Sequence, residues 1–113
     1  MNLTKEQFIN GFKIKESCRA FDLKGARAIN IIQHFFFFDD MEEVFGKSFV
    51  DSFNEDKQTT VEINEENRYK TITVFKNGAT LMIDAKQKTF MDFEYEIEFS
   101  GISNEGEEFH GKN

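Results

Sequence analysis

The chain has no proline, no tryptophan, one cysteine and two histidines among its 113 residues. Each shortage excludes something. A single thiol, Cys18, leaves no intrachain disulfide framework and no cysteine-based zinc site within one copy. His34 and His110 stand in no H-x-x-x-H or H-E-x-x-H spacing. No dinucleotide-binding glycine motif, Walker A loop or EF-hand is present, and Asn64–Asn67 lacks the residue order and glycine of a calcium loop. No cofactor and no metal are therefore expected. Without proline, sheet edges must be guarded by charge, twist or coverage. The most apolar run, Ile29–Phe38, is interrupted by Asn30, Gln33 and His34. It falls far short of the roughly 20 residues that span a bilayer. Met1–Gln7 has no apolar signal-peptide region, and neither end carries a lipidation signal. These readings predict a cytoplasmic protein without membrane contact.

What is abundant is phenylalanine, with 15 copies, and acid, with a net charge of −7. So many aromatics argue against disorder. The length fits one α+β domain over residues 1–113, with 1–56 mainly helical and 57–110 mainly β. The charge is uneven. Residues 1–37 carry six basic and three acidic groups, a net +3, and the remainder carries 8 basic and 18 acidic groups, a net −10.

Thr4 and Gln7 fit a capping box, with Leu3 and Phe8 as its hydrophobic staple, so a helix is predicted from Lys5. Asn10-Gly11 is its expected stop. Asp22 is a candidate cap for a second helix toward Phe38. That segment is apolar nearly all round, which predicts a buried helix, with a buried strand over Ile29–Phe38 as the rival reading. Asp39 and Asp40 follow the four-phenylalanine run as charged gatekeepers. Asp40 is also the expected cap of a third helix, whose stripe runs from Met41 through Val44, Phe45, Phe49 and Phe53.

The second half alternates with period two. Asn77-Gly78 predicts a two-residue hairpin turn that pairs Val74 with Leu81 and Ile72 with Ile83, all on one face. Met91, Phe93, Tyr95, Ile97 and Phe99 alternate with Asp92, Glu94, Glu96 and Glu98, predicting a strand with one apolar and one acidic face. A shorter strand at Thr60–Ile63 with Val61 and Ile63 inward, and a chain reversal at Ser103–Gly106 leading to 107–110, complete the set. The expected architecture is N-terminal helices packed on one face of a four- to five-stranded antiparallel meander sheet.

Four like charges in a row repel, and strand formation does not require them. Either lysines such as Lys70, Lys76, Lys86 and Lys88 neutralise them, or they serve a basic partner. The favoured function is a small, acidic, non-enzymatic protein-binding module whose surface is Asp92, Glu94, Glu96 and Glu98 with Glu105, Glu107 and Glu108. Its partner would be a basic nucleic-acid-handling enzyme or toxin. Immunity proteins and phage-encoded inhibitors of bacterial systems fit that composition. A secondary basic patch, Lys13, Lys15, Arg19, Lys24 and Arg27, is diluted by Glu16 and Asp22, and the overall charge opposes direct nucleic-acid binding. The alternative is a cavity protein of the NTF2-like or cystatin-like cone kind, a fold-level analogy, holding a small apolar ligand or a modest active site. Surplus phenylalanine surface is also compatible with a homo-oligomer. Cys18 is read as a buried structural thiol, His34 as a core or boundary side chain, and no catalytic residue is assigned.

Overall fold

The computed structural model describes residues 2–19 and 24–102. It is α+β: helices cover one face of a five-stranded antiparallel sheet with strand order β1-β5-β4-β3-β2. In chain order the elements are α1 (Lys5–Asn10), β1 (Phe12–Arg19), α2 (Ala26–Phe45), α3 (Lys47–Phe53), β2 (Gln58–Glu65), β3 (Arg68–Val74), β4 (Thr80–Gln87) and β5 (Asp92–Phe99). Strands β2 to β5 form the meander, and β1 closes the far side against β5.

The start of the chain follows its capping signals. The Thr4 side chain accepts the Gln7 N–H, and the Gln7 side chain accepts the Thr4 N–H at 2.9 Å. Both staple residues, Leu3 and Phe8, are core residues. After Gly11 the chain turns directly into β1, so the front half is not all helical. Phe12, Ile14 and Cys18 alternate with Lys13, Lys15, Ser17 and Arg19, which is strand spacing.

Two expectations about the helices are corrected. Asp40 caps nothing. It sits inside α2, buried, and its carboxylate accepts the Leu3 N–H at 2.9 Å. The second and third predicted helices meet instead at Gly46, whose φ of +95° is costly for any other residue and stops the α2 hydrogen-bond ladder. Nor is α2 buried all round. Ile31, Phe35 and Phe36 are 47%, 63% and 42% exposed. A single helix lying on one sheet has only one covered side, so an all-round apolar segment must show part of itself to solvent. Asp22 lies outside the described residues.

The β3–β4 hairpin is also one residue out of the predicted register. Val74 pairs with Thr80 and Ile72 with Met82, because the loop has three residues, Lys76-Asn77-Gly78. Gly78 N–H bonds the Phe75 carbonyl at 2.9 Å, and Gly78 adopts φ +93°. A slip of one residue exchanges the two faces. Phe75, Leu81, Ile83 and Ala85 turn inward, whereas Ile72 and Val74 turn out. Thr71 and Thr73 go under the helices and find partners there. The Thr71 hydroxyl donates to Asn30 Oδ1 at 3.3 Å, and the Thr73 and Thr59 hydroxyls share a 2.8 Å bond. Val61, opposite the buried Thr71, does face the helix side but stays 45% exposed on the edge strand, whereas the bulge between Val61 and Ile63 sets Ile63 opposite Lys70 on the other face.

The core is aromatic and self-filling. Phe37 lies 5.3 Å from Phe8 and 5.0 Å from Phe99, ring to ring, and Phe53 stacks on Phe75 at 4.2 Å. These rings pack between the helices and the sheet. Asn30 pins α2 to the sheet, donating to the Ile83 carbonyl at 2.9 Å.

Candidate functional site

Strand β5 alternates as expected: Phe93, Tyr95, Ile97 and Phe99 are buried, and the acids face out. The neighbour on that outer face is β1. Lys13 stands opposite Glu98, Lys15 opposite Glu96 and Arg19 opposite Asp92. Directly opposed residues of an antiparallel pair share a face. Arg19 reaches Asp92 at 3.4 Å, while Lys15 and Lys88 approach Glu94 from either side at 3.9 and 3.8 Å. Three members of the predicted basic patch thus interleave with the predicted acidic surface in one mixed-sign ladder. The other candidate neutralisers, Lys70 and Lys76, pair with Glu62 and Glu55 instead. Each exposed pair stabilises by at most about 1 kcal/mol, but together they cancel much of the field of the acidic row. Glu105, Glu107, Glu108 and His110 lie outside the described residues.

Lys24 and Arg27 stand apart from that ladder, at the start of α2. The Arg27 guanidinium sits 5.3 Å over the Tyr69 ring and donates to Asn64 Oδ1. On the outer face at the same end of the sheet, Arg68 holds the buried Asp84 carboxylate through two bonds, at 3.1 and 2.8 Å.

The groups capable of chemistry do not converge. Cys18 lines a cleft with Arg19, Lys88 and Asp92, whereas His34 lines a different one with Val61 and Tyr69. Burial pushes the Cys18 thiol up, away from thiolate. Burial, with a smaller effect of the Lys57 charge, pushes His34 down to about 4. Its ring meets Phe38 edge-on at 4.7 Å and its Nε2 has no hydrogen-bond partner. Tyr95 donates to Glu16 Oε1 at 2.9 Å, and burial together with this bond pushes the phenol up to about 12. That pair lines a cleft of about 440 Å³ shared with Gln7, Gln33 and Phe36, whose mixed lining does not suit a purely apolar ligand. Among the described residues no three His, Cys, Asp or Glu side chains are placed to hold a metal, and no helix is long and apolar enough to cross a membrane.

The surface that sequence reasoning missed is the outer side of α2. Ile31, Phe35 and Phe36 are presented there, beside the exposed Val61 of β2. A shallow cleft of about 190 Å³ runs between α2 and β2 under Ile31, Phe35 and Val61. Further along the same helix Asp39, Glu42 and Glu43 are exposed and make no ion pair among the described residues. The available signal was geometric: a two-layer domain of this length covers one side of its long helix, and the all-round apolar pattern leaves surplus for the other.

Fold and surfaces together define a class: an α+β domain of one long helix across an antiparallel sheet, with a filled core and an apolar, acid-tipped helix face. No protein-family model, no curated protein and no solved structure matches the chain.

Proposed function

We propose that this chain is a small acidic protein-binding module without catalytic activity, and that it binds through the outer face of α2. One observation carries the reading: two large apolar side chains one turn apart, Ile31 and Phe35, stand in solvent beside Val61, with the exposed Phe36 on the flank of the same helix, which Asn30 anchors. Contiguous exposed apolar surface of this kind marks association sites. The exposed acids Asp39, Glu42 and Glu43, none in a salt bridge among the described residues, extend the same helix, so the complementary partner is a protein with an apolar patch rimmed by Lys or Arg. The complementary patch is thus still basic, but the acids that meet it are those of α2 rather than Asp92, Glu94, Glu96 and Glu98, beside which β1 sets Lys13, Lys15 and Arg19. An inhibitor or immunity-type role is the biological form this reading takes.

The test is site-specific photocrosslinking in the cells that make the protein, comparing Phe35→p-benzoylphenylalanine with Glu96→p-benzoylphenylalanine. Protein adducts at position 35 with few at position 96 are expected. Adducts mainly at position 96 would return the site to the sheet face, and adducts at neither position would remove the reading.

A further inference from the structure

We infer that the partner of the α2 face is a second copy of this chain, packed helix against helix in antiparallel orientation about a two-fold axis. The inference rests on the binding role proposed for that face and names its occupant. The carrying observation is a symmetry in the face itself. Lys24, Arg27, Ile31, Phe35, Asp39 and Glu42 are spaced symmetrically about position 33, with bases before the apolar pair and acids after it. All six are exposed.

Two-fold packing brings residue i of one helix beside residue 66 − i of the other when the axis crosses at position 33. Ile31 then meets the second copy's Phe35, and Phe35 meets its Ile31. Arg27 falls beside Asp39 of the other copy, and Lys24 beside Glu42. Every contact occurs twice, so both apolar anchors are covered and four charge pairs form at the rim. Parallel packing would set acids on acids and bases on bases. The helical part of the contact, Arg27 to Asp39, runs about 18 Å at about 1.5 Å per residue, and Lys24 lies just ahead of the helix, before its N-cap Gly25. Its basic end is held in place before association, because Arg27 rests on Tyr69 and Asn64 of its own chain. At the other end neither acid forms a salt bridge among the described residues, although Glu42 lies near enough to Lys47 to favour its charged form.

The experiment is analytical ultracentrifugation of the full chain over a concentration series, with wild type and three variants. Wild type is expected to sediment as a concentration-dependent dimer, and Phe35→Asp as a monomer. Lys24→Glu/Arg27→Glu leaves only acids at both ends of the face, and Asp39→Lys/Glu42→Lys leaves only bases. Each should weaken dimerisation by about tenfold or more, which is about 1.4 kcal/mol. Mixing these two double variants should restore a dimer, because every base again meets an acid. Far-UV circular dichroism of each variant as a dilute monomer checks that it is folded.

Three results would overturn the inference: a wild type that is monomeric throughout the series, double variants that dimerise as tightly as wild type, or a mixture that stays monomeric. A monomeric wild type whose position 35 still crosslinks to a different protein would defeat the second-copy inference alone. A monomeric wild type with no adduct at position 35 would defeat both.

Discussion

Phe35 and Phe37 are two residues apart on one helix and identical in type, yet the fold gives them opposite fates. Phe37 has no exposed surface and its ring meets Phe99, Phe38 and Phe8 at 5.0, 5.1 and 5.3 Å. Phe35 is 63% exposed. Phe37→Ala removes a ring from the centre of a close-packed aromatic cluster that cannot collapse without moving both sheet and helix. The expected loss is about 3–5 kcal/mol, the range for fully buried aromatics. Phe35→Ala should cost no more than about 0.5 kcal/mol to the isolated fold, as surface substitutions do. In urea, where a domain of this size has a slope of about 1–3 kcal/mol/M, the Phe37→Ala midpoint should fall by roughly 2 M. With no tryptophan available, far-UV circular dichroism is the probe, on protein diluted until the midpoint no longer depends on concentration. Equal losses at the two positions, or a larger loss at Phe35, would mean that α2 is rotated from the orientation described. The exposed face, and both proposals built on it, would then fail.

Three further expectations test other parts of the fold. Asn30→Ala removes a donor to the Ile83 carbonyl and an acceptor for the Thr71 hydroxyl, so it should cost about 1–3 kcal/mol by urea unfolding; no loss would mean that Asn30 does not anchor α2. Arg68→Met strands the buried Asp84 carboxylate, whereas Arg68→Met/Asp84→Leu removes both charges. The double variant should therefore be more stable than the single one, and a double variant as unstable as the single one would show that the carboxylate is not desolvated. His34 sits at about 4 in the folded chain against a usual 6.5, so the unfolded chain takes up its proton first as pH falls. Its contribution is complete above pH 6.5 and is lost between 6.5 and about 4. His34→Gln should flatten the fall of stability across that window relative to wild type, and identical pH profiles would contradict the burial of the ring.

Legibility followed how local each determinant was. The Thr4–Gln7 capping box, the stop at Gly11 and the ten-residue alternation of β5 are written in adjacent residues and were readable. Strand β1 was also written locally, in the alternation of Phe12, Ile14 and Cys18, but Glu16 occupies an inward position between them and breaks the apolar pattern. The β3–β4 register was less accessible. Asn77-Gly78 signals a hairpin, but the choice between a two- and a three-residue loop is made by which face buries more. Here Phe75, with Thr71 and Thr73 satisfied by Asn30 and Thr59, outweighs Val74 and Ile72. The bulge at Val61–Ile63 and the diversion of Asp40 from cap to tertiary acceptor depend on contacts 10 to 40 residues distant. The acidic surface was misplaced for the same reason. Its neutralising strand β1 lies 81 residues away in sequence at the Lys15–Glu96 pair, so only the register shows that Lys15 faces Glu96.

The charge imbalance along the chain acquires a physical sense from this topology. A mildly basic front third and an acidic remainder need not make two patches if the fold lays one against the other. The sheet does this for Lys13, Lys15 and Arg19, which β1 carries across to the acids of β5. It cannot do so for Arg27 and Asp39, because α2 holds them about 18 Å apart, counting the 12 residues from one to the other at about 1.5 Å each, with Lys24 just ahead of the helix at the basic end and Glu42 at the acidic end. Within a single chain those charges have no means of meeting. Only a second helix running the other way brings them together, and the apolar pair Ile31 and Phe35 lies where that helix would cross. The solvent exposure of the phenylalanines and the separation of the charges are therefore one feature of α2, and both are relieved by the same antiparallel contact.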